Sequence, residues 1–249
     1  MTIAIISDIH ANAVALDSIL TDIERDSVDQ IICLGDIAGT GPQPVRTLEH
    51  LQELECPVVL GNVDETLLDP PSNDSLDEFT DADQNFAEID AWCADQLSAA
   101  HKSFIQSFDS TLEFELPDGI RLYCYHGSPR SHSEEVHATT SEERLDELFE
   151  NVDAHLLAGG HTHFPFIRRY QGMVLLNPGS VGLPYVWNRD VEGYRNPPWA
   201  EYAVITGDPK SLQVELRRCP LDVTAVVESA LESDMPHARW WTEGWQPSQ

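Results

Sequence analysis

The chain opens on a short apolar run, Ile3-Ala4-Ile5-Ile6, that gives way at once to Ser7-Asp8-Ile9-His10. Comparable runs recur at 30–34 and 57–60. Between them apolar residues fall at helical spacing: Leu16, Ile19, Leu20 and Ile23, then Val45, Leu48 and Leu51 behind Pro44. Short continuous apolar runs read as strands, and a three-and-four spacing reads as an amphipathic helix. Proline suits a first helical turn because its missing N–H has no partner there anyway. The pattern predicts strands over 3–7, 30–34 and 57–60, with helices over about 12–26 and from 44 onward. A β-α-β-α-β order implies parallel strands joined by right-handed crossovers. Ligands of such sheets gather at the carboxyl ends of the strands, where Asp8, Asp36 and Asn62 fall.

Further along, 69–83 is polar and acidic and contains Pro70-Pro71, which predicts a loop. Helical spacing returns at Phe86, Ile89, Ala91, Trp92 and Leu97, and again through Phe104 and Phe108. After residue 110 strands dominate: 111–116 and 120–125 around Asp118-Gly119, 155–158, 166–170 and 173–176 around Gln171-Gly172, and 202–205 with 212–216. Thr140 with Glu143 resembles a capping box, and Asp222 can cap a last helix reaching about Ser233. The stretch 182–199 reads as a long loop. Trp240, Trp241 and Trp245 are expected to dock the tail onto the body or onto a second copy, so a homo-oligomer is open. With no internal repeat and no linker, a single domain over 1–249 is expected. It carries a helical insertion at about 65–108 and a C-terminal helix and tail at about 220–249.

Composition narrows the function. The 249 residues, 41% hydrophobic, can bury one large core. Against 43 acidic residues stand 14 Lys and Arg, a net charge of −29. Such a surface repels phosphate backbones, which excludes a general nucleic-acid binder. It also fits a salt-rich setting, in which self-repulsion is screened. The five cysteines include no CxxC pair, which argues against a zinc ribbon or a thioredoxin-type motif and fits a reducing compartment. No signal-peptide pattern and no apolar run of about 18 residues is present, so a soluble, cytoplasmic protein without a membrane partner is expected.

Ligand-type side chains stand directly after the apolar runs: Asp8 and His10, Gly35-Asp36, Gly61-Asn62-Val63-Asp64, His126-Gly127, and Gly159-Gly160-His161-Thr162-His163. If the strand stays extended, Asp8 and His10 share a face and one ion can take both. His161 and His163 have the same spacing, although a tight turn would send them to different ions. The mixed oxygen and nitrogen set suits Mn²⁺, Fe, Zn²⁺ or Ni²⁺ better than Ca²⁺, and it lacks the thiolates of structural zinc. Each residue alone has a plain explanation: Asp8 as a cap, Asn62 in a left-handed turn, a strand-end histidine as a hydrogen-bonded group. Their recurrence at successive strand ends is what reads as one dinuclear metal site.

Taken in order over 8–163, these motifs resemble the calcineurin-like metallophosphoesterase family. Asn177-Pro178-Gly179-Ser180-Val181 is similar to the segment after the last histidines in its small bacterial and archaeal phosphodiesterase branch. The resemblance implies an α/β four-layer sandwich of two mixed β-sheets flanked by helices. It implies two divalent ions, one held by Asp8, His10 and His163, the other by Asn62, His126 and His161, with Asp36 bridging and Asp64 in support. It further implies a metal-dependent phosphohydrolase, a phosphodiesterase or broad phosphoesterase, in which a hydroxide between the ions attacks phosphorus in line. The substrate would be a small phosphate ester, such as a nucleotide.

Two other readings belong to the same resemblance. One is a protein or diadenosine-polyphosphate phosphatase. The other is a non-catalytic scaffold like the retromer subunit of this fold, which the retention of seven ligands disfavours. A zinc amide hydrolase lacks its HExxH helix.

The sequence departs from the family pattern at Val63, where many members carry a histidine that assists the leaving group. Valine cannot donate a proton, so Asp64 lacks its usual imidazole partner, and esters with good leaving groups are favoured. His132 is the nearby imidazole that could substitute. Arg130, Arg168 and Arg169 are candidate phosphate contacts, since a guanidinium fork matches phosphate oxygens. Tyr185, with Trp187, Arg189, Tyr194, Arg195 and Trp199, could stack and hold a nucleobase.

Overall fold

A computed structural model describes residues 1–70, 80–116, 119–188, 193–207 and 211–245. The chain begins with β1 (Thr2–Ile6), α1 (Ala13–Glu24), β2 (Gln30–Cys33) and α2 (Pro44–Leu54). Helices α3 (Asn62–Leu68), α4 (Asp81–Gln96) and α5 (Ala99–Ile105) follow. Next come β3 (Thr111–Leu116), β4 (Ile120–Tyr125), α6 (Glu142–Leu148), β5 (Leu156–Ala158), β6 (Phe166–Tyr170) and β7 (Met173–Asn177). The chain continues through β8 (Val186–Asn188), β9 (Gly193–Arg195), β10 (Trp199–Thr206), β11 (Gln213–Pro220), α7 (Val223–Glu232) and α8 (Ala238–Glu243).

The strands form two mixed sheets, ordered β11-β10-β1-β2 and β3-β4-β5-β7-β6. Within the first, β1 and β2 are parallel and joined through α1; within the second, β4, β5 and β7 are parallel. The apolar runs of β1, β2, β5 and β7 are continuous because both faces are covered, while the exposed Arg121 interrupts that of β4. Ile3 and Ile5 of β1 meet Leu122 and Cys124 of β4 and Leu156 and Ala158 of β5 in the layer between the sheets. Ala4 and Ile6 point the other way, into Leu16, Ile19 and Ile23 of α1 and the core under α2, α4, α7 and α8. On the far side Tyr125, Leu157 and Leu175 pack on Leu145 and Leu148 of α6. Helices, sheet, sheet and helix make the four layers. Burying one such Leu or Ile contributes about 1.5–3 kcal/mol.

Several local expectations are corrected. The segment 57–60 does not form a continuous strand. Pro57 has no N–H, and the segment divides its pairing between β2, through Cys33 and Val58, and Asp109, through Val59. Helix α6 is capped by Ser141 and not by Thr140: the Ser141 hydroxyl accepts from the Arg144 N–H, while Thr140 Oγ1 accepts from the His137 N–H. The stretch 182–199 is not all loop, since β8 and β9 pair as a hairpin within it. Helix α8 follows the expected last helix; its six residues are too short for apolar periodicity to show. Asn12 caps α1, accepting from the Ala15 N–H at 3.0 Å, and Asp222 caps α7 as expected. Residues 71–79 of the expected acidic loop, Asp118, Arg189, Asp208 and Pro209 lie outside the described residues, as does the side chain of Tyr194.

Candidate metal centre

The two sheets bring the carboxyl ends of β1, β2, β4 and β5 to one edge of the sandwich. The backbone there is laced together: the Asp8 N–H donates to Gly35 O, the His10 N–H to Asp36 O, and the Gly160 N–H to His126 O. Asp8 and His10 are not in extended backbone as expected. Both lie in the left-handed region, at φ 56° and 47°, as do Asp36, His161 and His163. Non-glycine residues adopt this conformation only where surrounding contacts hold them, and such residues cluster at functional sites. Gly61 and Gly160 permit the close approach: a Cβ on Gly61 would stand 2.1 Å from Asp36 Oδ1, and one on Gly160 would stand 2.1 Å from Ser7 Oγ.

The seven candidate side chains gather in two adjoining groups. Asp8, His10 and His163 form one; Asp36, His126 and His161 form the other, with each group's ligand atoms within 4.8 Å of one another. His161 and His163 therefore separate, as a tight turn requires. Asn62, the first residue of α3, presents Oδ1 3.0 Å from His126 Nε2. Asp36 lies between the groups: its Oδ2 is 3.2 Å from His126 Nε2 and 3.9 Å from His10 Nε2. Its other oxygen, Oδ1, accepts from the Val63 N–H at 2.8 Å.

The donor set calls for cations. His126 Nδ1 is 2.6 Å from the Leu34 carbonyl, and His163 Nδ1 is 2.7 Å from the Leu183 carbonyl. A carbonyl can only accept, so both Nδ1 atoms carry the proton, and each neutral ring is left with a bare Nε2. The bare His126 nitrogen faces the oxygens of Asn62 and Asp36. The bare His163 nitrogen faces Asp8 Oδ1 at 3.3 Å and His10 Nε2 at 3.0 Å. Lone pairs aimed at lone pairs in a buried site repel unless a positive charge lies among them. Asp8 Oδ1 and His10 Nδ1 have no hydrogen-bond partner among the described residues.

Titration follows the same logic. Burial alone would raise the carboxyl pKa of Asp36, but His126, His10 and the Val63 N–H hold it well below the usual range. Asp8 is lowered likewise, with His163 and His126 overriding burial. His126 is pushed up to about 10, because Asp36 and Asp8 outweigh its burial. His10 falls to about 4 through burial and the neighbouring His163. The acidic surroundings of His126 thus favour a positive charge at its Nε2, which a metal ion would supply.

Asp64 braces the site from behind. Its carboxylate accepts from the Asp36, Ile37 and Gly61 N–H groups at 2.8, 2.9 and 3.1 Å, tying the loop after β2 to the start of α3. Burial and the Asp36 charge still push its pKa up to about 6. Val63 is buried against Gly39, so the position expected for an imidazole is filled by an aliphatic group. His132 pairs with Glu65 at 2.9 Å, and Glu65 and Asn62 line one cavity of about 560 Å³.

The phosphate candidates fare differently. Arg130 pairs with Glu134 at 3.4 Å, Arg168 donates to the carbonyls of Ala138 and Thr140, and Arg169 is exposed on β6. Tyr185 does adjoin the centre, stacked on the His163 ring at 4.9 Å with an interplanar angle of 6°.

Supporting residues without a ligand's chemistry were not evident beforehand. Asn177 Nδ2 donates to Gly160 O at 2.7 Å and steadies the histidine turn, and Ser180 Oγ donates to Asp8 O at 2.7 Å. The motif around 177–181 was the available signal for both.

Comparison with known proteins agrees with this geometry. Residues 1–194 match the model of the calcineurin-like phosphoesterase superfamily domain. An uncharacterised protein of Methanocaldococcus jannaschii is 30% identical, covering 94% of this chain and 93% of its own. A probable metallophosphoesterase of Methanothermobacter thermautotrophicus is 31% identical, covering 74% of this chain and 79% of its own. Among solved structures, a metallophosphoesterase from Sphaerobacter thermophilus superposes with a TM-score of 0.74 at 28% identity, covering 98% of this chain and 97% of that one. A hypothetical protein from Pyrococcus horikoshii shares the fold, at a TM-score of 0.78 and 18% identity over 94% of both chains. The match to the family model over most of the length, together with relatives alike over nearly the whole chain, establishes that this protein belongs to the calcineurin-like phosphoesterase superfamily.

Proposed function

We propose that this protein is a metal-dependent phosphohydrolase, a phosphodiesterase or broad phosphoesterase, working through a pair of divalent ions. The observation that carries the reading is the position of Asp36 Oδ2 between two Asp/His groups whose bare imidazole nitrogens face other acceptors. Asp8, His10 and His163 would hold one ion, and Asn62, His126 and His161 the other, with Asp36 shared. The ions would supply a water acidic enough to ionise near neutral pH, as nucleophile, and positive charge against the phosphoryl oxygens.

The chain's part is to hold that set rigid. The Leu34 and Leu183 carbonyls fix the tautomers of His126 and His163. Asp64 fixes the backbone of Asp36, and the Val63 N–H immobilises one Asp36 oxygen so that the other stays aimed inward. With Val63 unable to donate a proton, esters whose leaving groups depart as stable anions are favoured. His132, which pairs with Glu65, is the imidazole that would assist others. The mixed oxygen and nitrogen donors suit Mn²⁺, Fe, Zn²⁺ or Ni²⁺.

Hydrolysis of bis(4-nitrophenyl) phosphate with added Mn²⁺ tests the reading, with dimethyl phosphate as the poor-leaving-group control. Metal-dependent turnover of the aryl ester is expected, with Asp36→Asn slower by about two to three orders of magnitude, the scale of losing one electrostatic contact at a reacting centre. A variant as fast as the wild type would remove Asp36 from the mechanism.

A further inference from the structure

The loop from Asp36 to Gln43 joins β2 to α2, and its backbone is tied to the metal centre. The Asp36 and Ile37 carbonyls accept from the His10 and Ala11 N–H groups at 2.9 and 2.8 Å, and the Gln43 N–H donates to the Ala11 carbonyl at 2.9 Å. Gly41 presses on the same turn: a Cβ there would stand 2.1 Å from His10 O. The loop is sharply bent. Asp36 lies at φ 55° and Thr40 at φ 66°, both in the left-handed region. For a β-branched residue such as threonine that conformation is an outlier, which persists only where surrounding contacts fix it.

The contacts that fix Thr40 come from two helices far along the chain. Its hydroxyl donates to Asp90 Oδ1 of α4 at 3.0 Å, and its carbonyl accepts from the Trp241 indole of α8 at 2.8 Å. Its neighbours are held from α4 as well. The Cys93 thiol donates to the Gly41 carbonyl at 3.4 Å, and a Cβ on Gly39 would stand 2.8 Å from Asp90 Oδ1. Asp90 is 8% exposed, and the other buried residues of α4 are Ile89, Cys93 and Ala94. A carboxyl on so apolar a helix face costs stability, where an aliphatic side chain would not. What it supplies in return is an acceptor for Thr40, four residues from the shared ligand Asp36.

We infer that Asp90 and Trp241 are positioning residues of the metal centre, which act through Thr40 to hold the loop carrying Asp36 in the shape that presents its carboxylate. The inference rests on the proposed ions for its consequence, but its claim about the loop is separate.

Calorimetric Mn²⁺ affinity and amide hydrogen exchange over 36–43 in the metal-free protein distinguish the two. Thr40→Val and Asp90→Ala cut the same bond, and each should weaken Mn²⁺ binding about threefold to tenfold, at or below the lower end of the cost of losing a partner directly behind a ligand. Combined, they should cost no more than the larger single loss, because one contact is broken once. Asp90→Asn keeps an acceptor for the hydroxyl and should bind as the wild type does. Trp241→Phe keeps a ring but loses the N–H, and should act in the same direction as Thr40→Val. Leu145→Ala opens a cavity in the separate core under α6; it controls for lost stability alone and should leave the affinity unchanged. Wild-type affinity in both Thr40→Val and Asp90→Ala, or an equal loss in Leu145→Ala, would overturn the positioning role. If the wild type itself takes up no Mn²⁺, the metal reading fails and exchange decides the loop alone. Exchange about tenfold faster over 36–43 in Thr40→Val and Asp90→Ala, with Asp90→Asn unchanged, supports the tie, and wild-type rates in all three overturn it.

Discussion

Asp64 touches none of the atoms facing the proposed ions, yet it holds three backbone N–H groups from two different loops. Replacing it with asparagine puts an amide NH₂ where an acceptor was needed and loosens Asp36. Metal affinity should fall about 10–100-fold, the usual cost of losing a partner behind a ligand. Calorimetric titration with Mn²⁺ measures this directly, and an affinity equal to the wild type would show that the loops need no such tie. Asp90 makes a second residue-scale prediction. It is buried on α4, accepts from the Thr40 hydroxyl, and is pushed up to about 7, chiefly by burial. The folded chain therefore keeps a proton that the unfolded chain, with a carboxyl near 3.8, releases. Between about pH 4 and 7 this group makes stability fall as pH rises, and above 7 its contribution is constant. Asp90→Asn should lose that share of the slope. Urea melts at pH 5 and 7.5 would reveal it: a wild-type to variant difference that does not change with pH contradicts the protonated carboxyl.

At the scale of elements, what the sequence revealed depended on how much of each signal was local. Strands β1, β2 and β5 read clearly because both faces are buried and their apolar runs are unbroken, and β4 read clearly although the exposed Arg121 interrupts its run. Helices α1 and α7 read clearly because a side-chain cap precedes a regular apolar stripe. Six of the seven ligands were legible because they follow the apolar runs of β1, β2, β4 and β5, which deliver them to the shared edge; Asn62 was legible because it follows the apolar segment 57–60, although that segment is not a strand. What was missed depends on distant partners. The left-handed turn at Asp8 and His10 is imposed by the loop after β2, whose Gly35 and Asp36 carbonyls take their N–H groups. Residues 57–60 looked like a strand by composition, but their pairing is split between two neighbours. Helix α8 is held in part by the Trp241 indole donating to the Thr40 carbonyl at 2.8 Å, a contact about two hundred residues apart in sequence. The tie from α4 and α8 to the loop after β2 is invisible to any local pattern, although the tryptophans of α8 stood out.

For the whole molecule, the net charge of −29 is the dominant long-range term. The surface pairs are exposed, such as Arg144 with Glu147 and Arg121 with Asp153, and each contributes little. Repulsion among the unpaired acids opposes compactness and is screened within about 3 Å at 1 M salt, against about 30 Å at 0.01 M. The melting temperature should rise steadily from 0.01 M to 1 M KCl, and scanning calorimetry across that series would show a flat profile if self-repulsion were unimportant. No helix among the described residues is long and apolar enough to cross a membrane.

The functional account depends on whether two cations sit at the edge that the two sheets share. The direct measurement is metal stoichiometry by plasma mass spectrometry on protein loaded with Mn²⁺ and freed of excess, for the wild type and for His10→Ala and His126→Ala. Two ions per chain are expected, falling towards one in each single variant, because each histidine belongs to a different group. A wild-type ratio near zero, or one unaffected by both substitutions, would contradict the paired site.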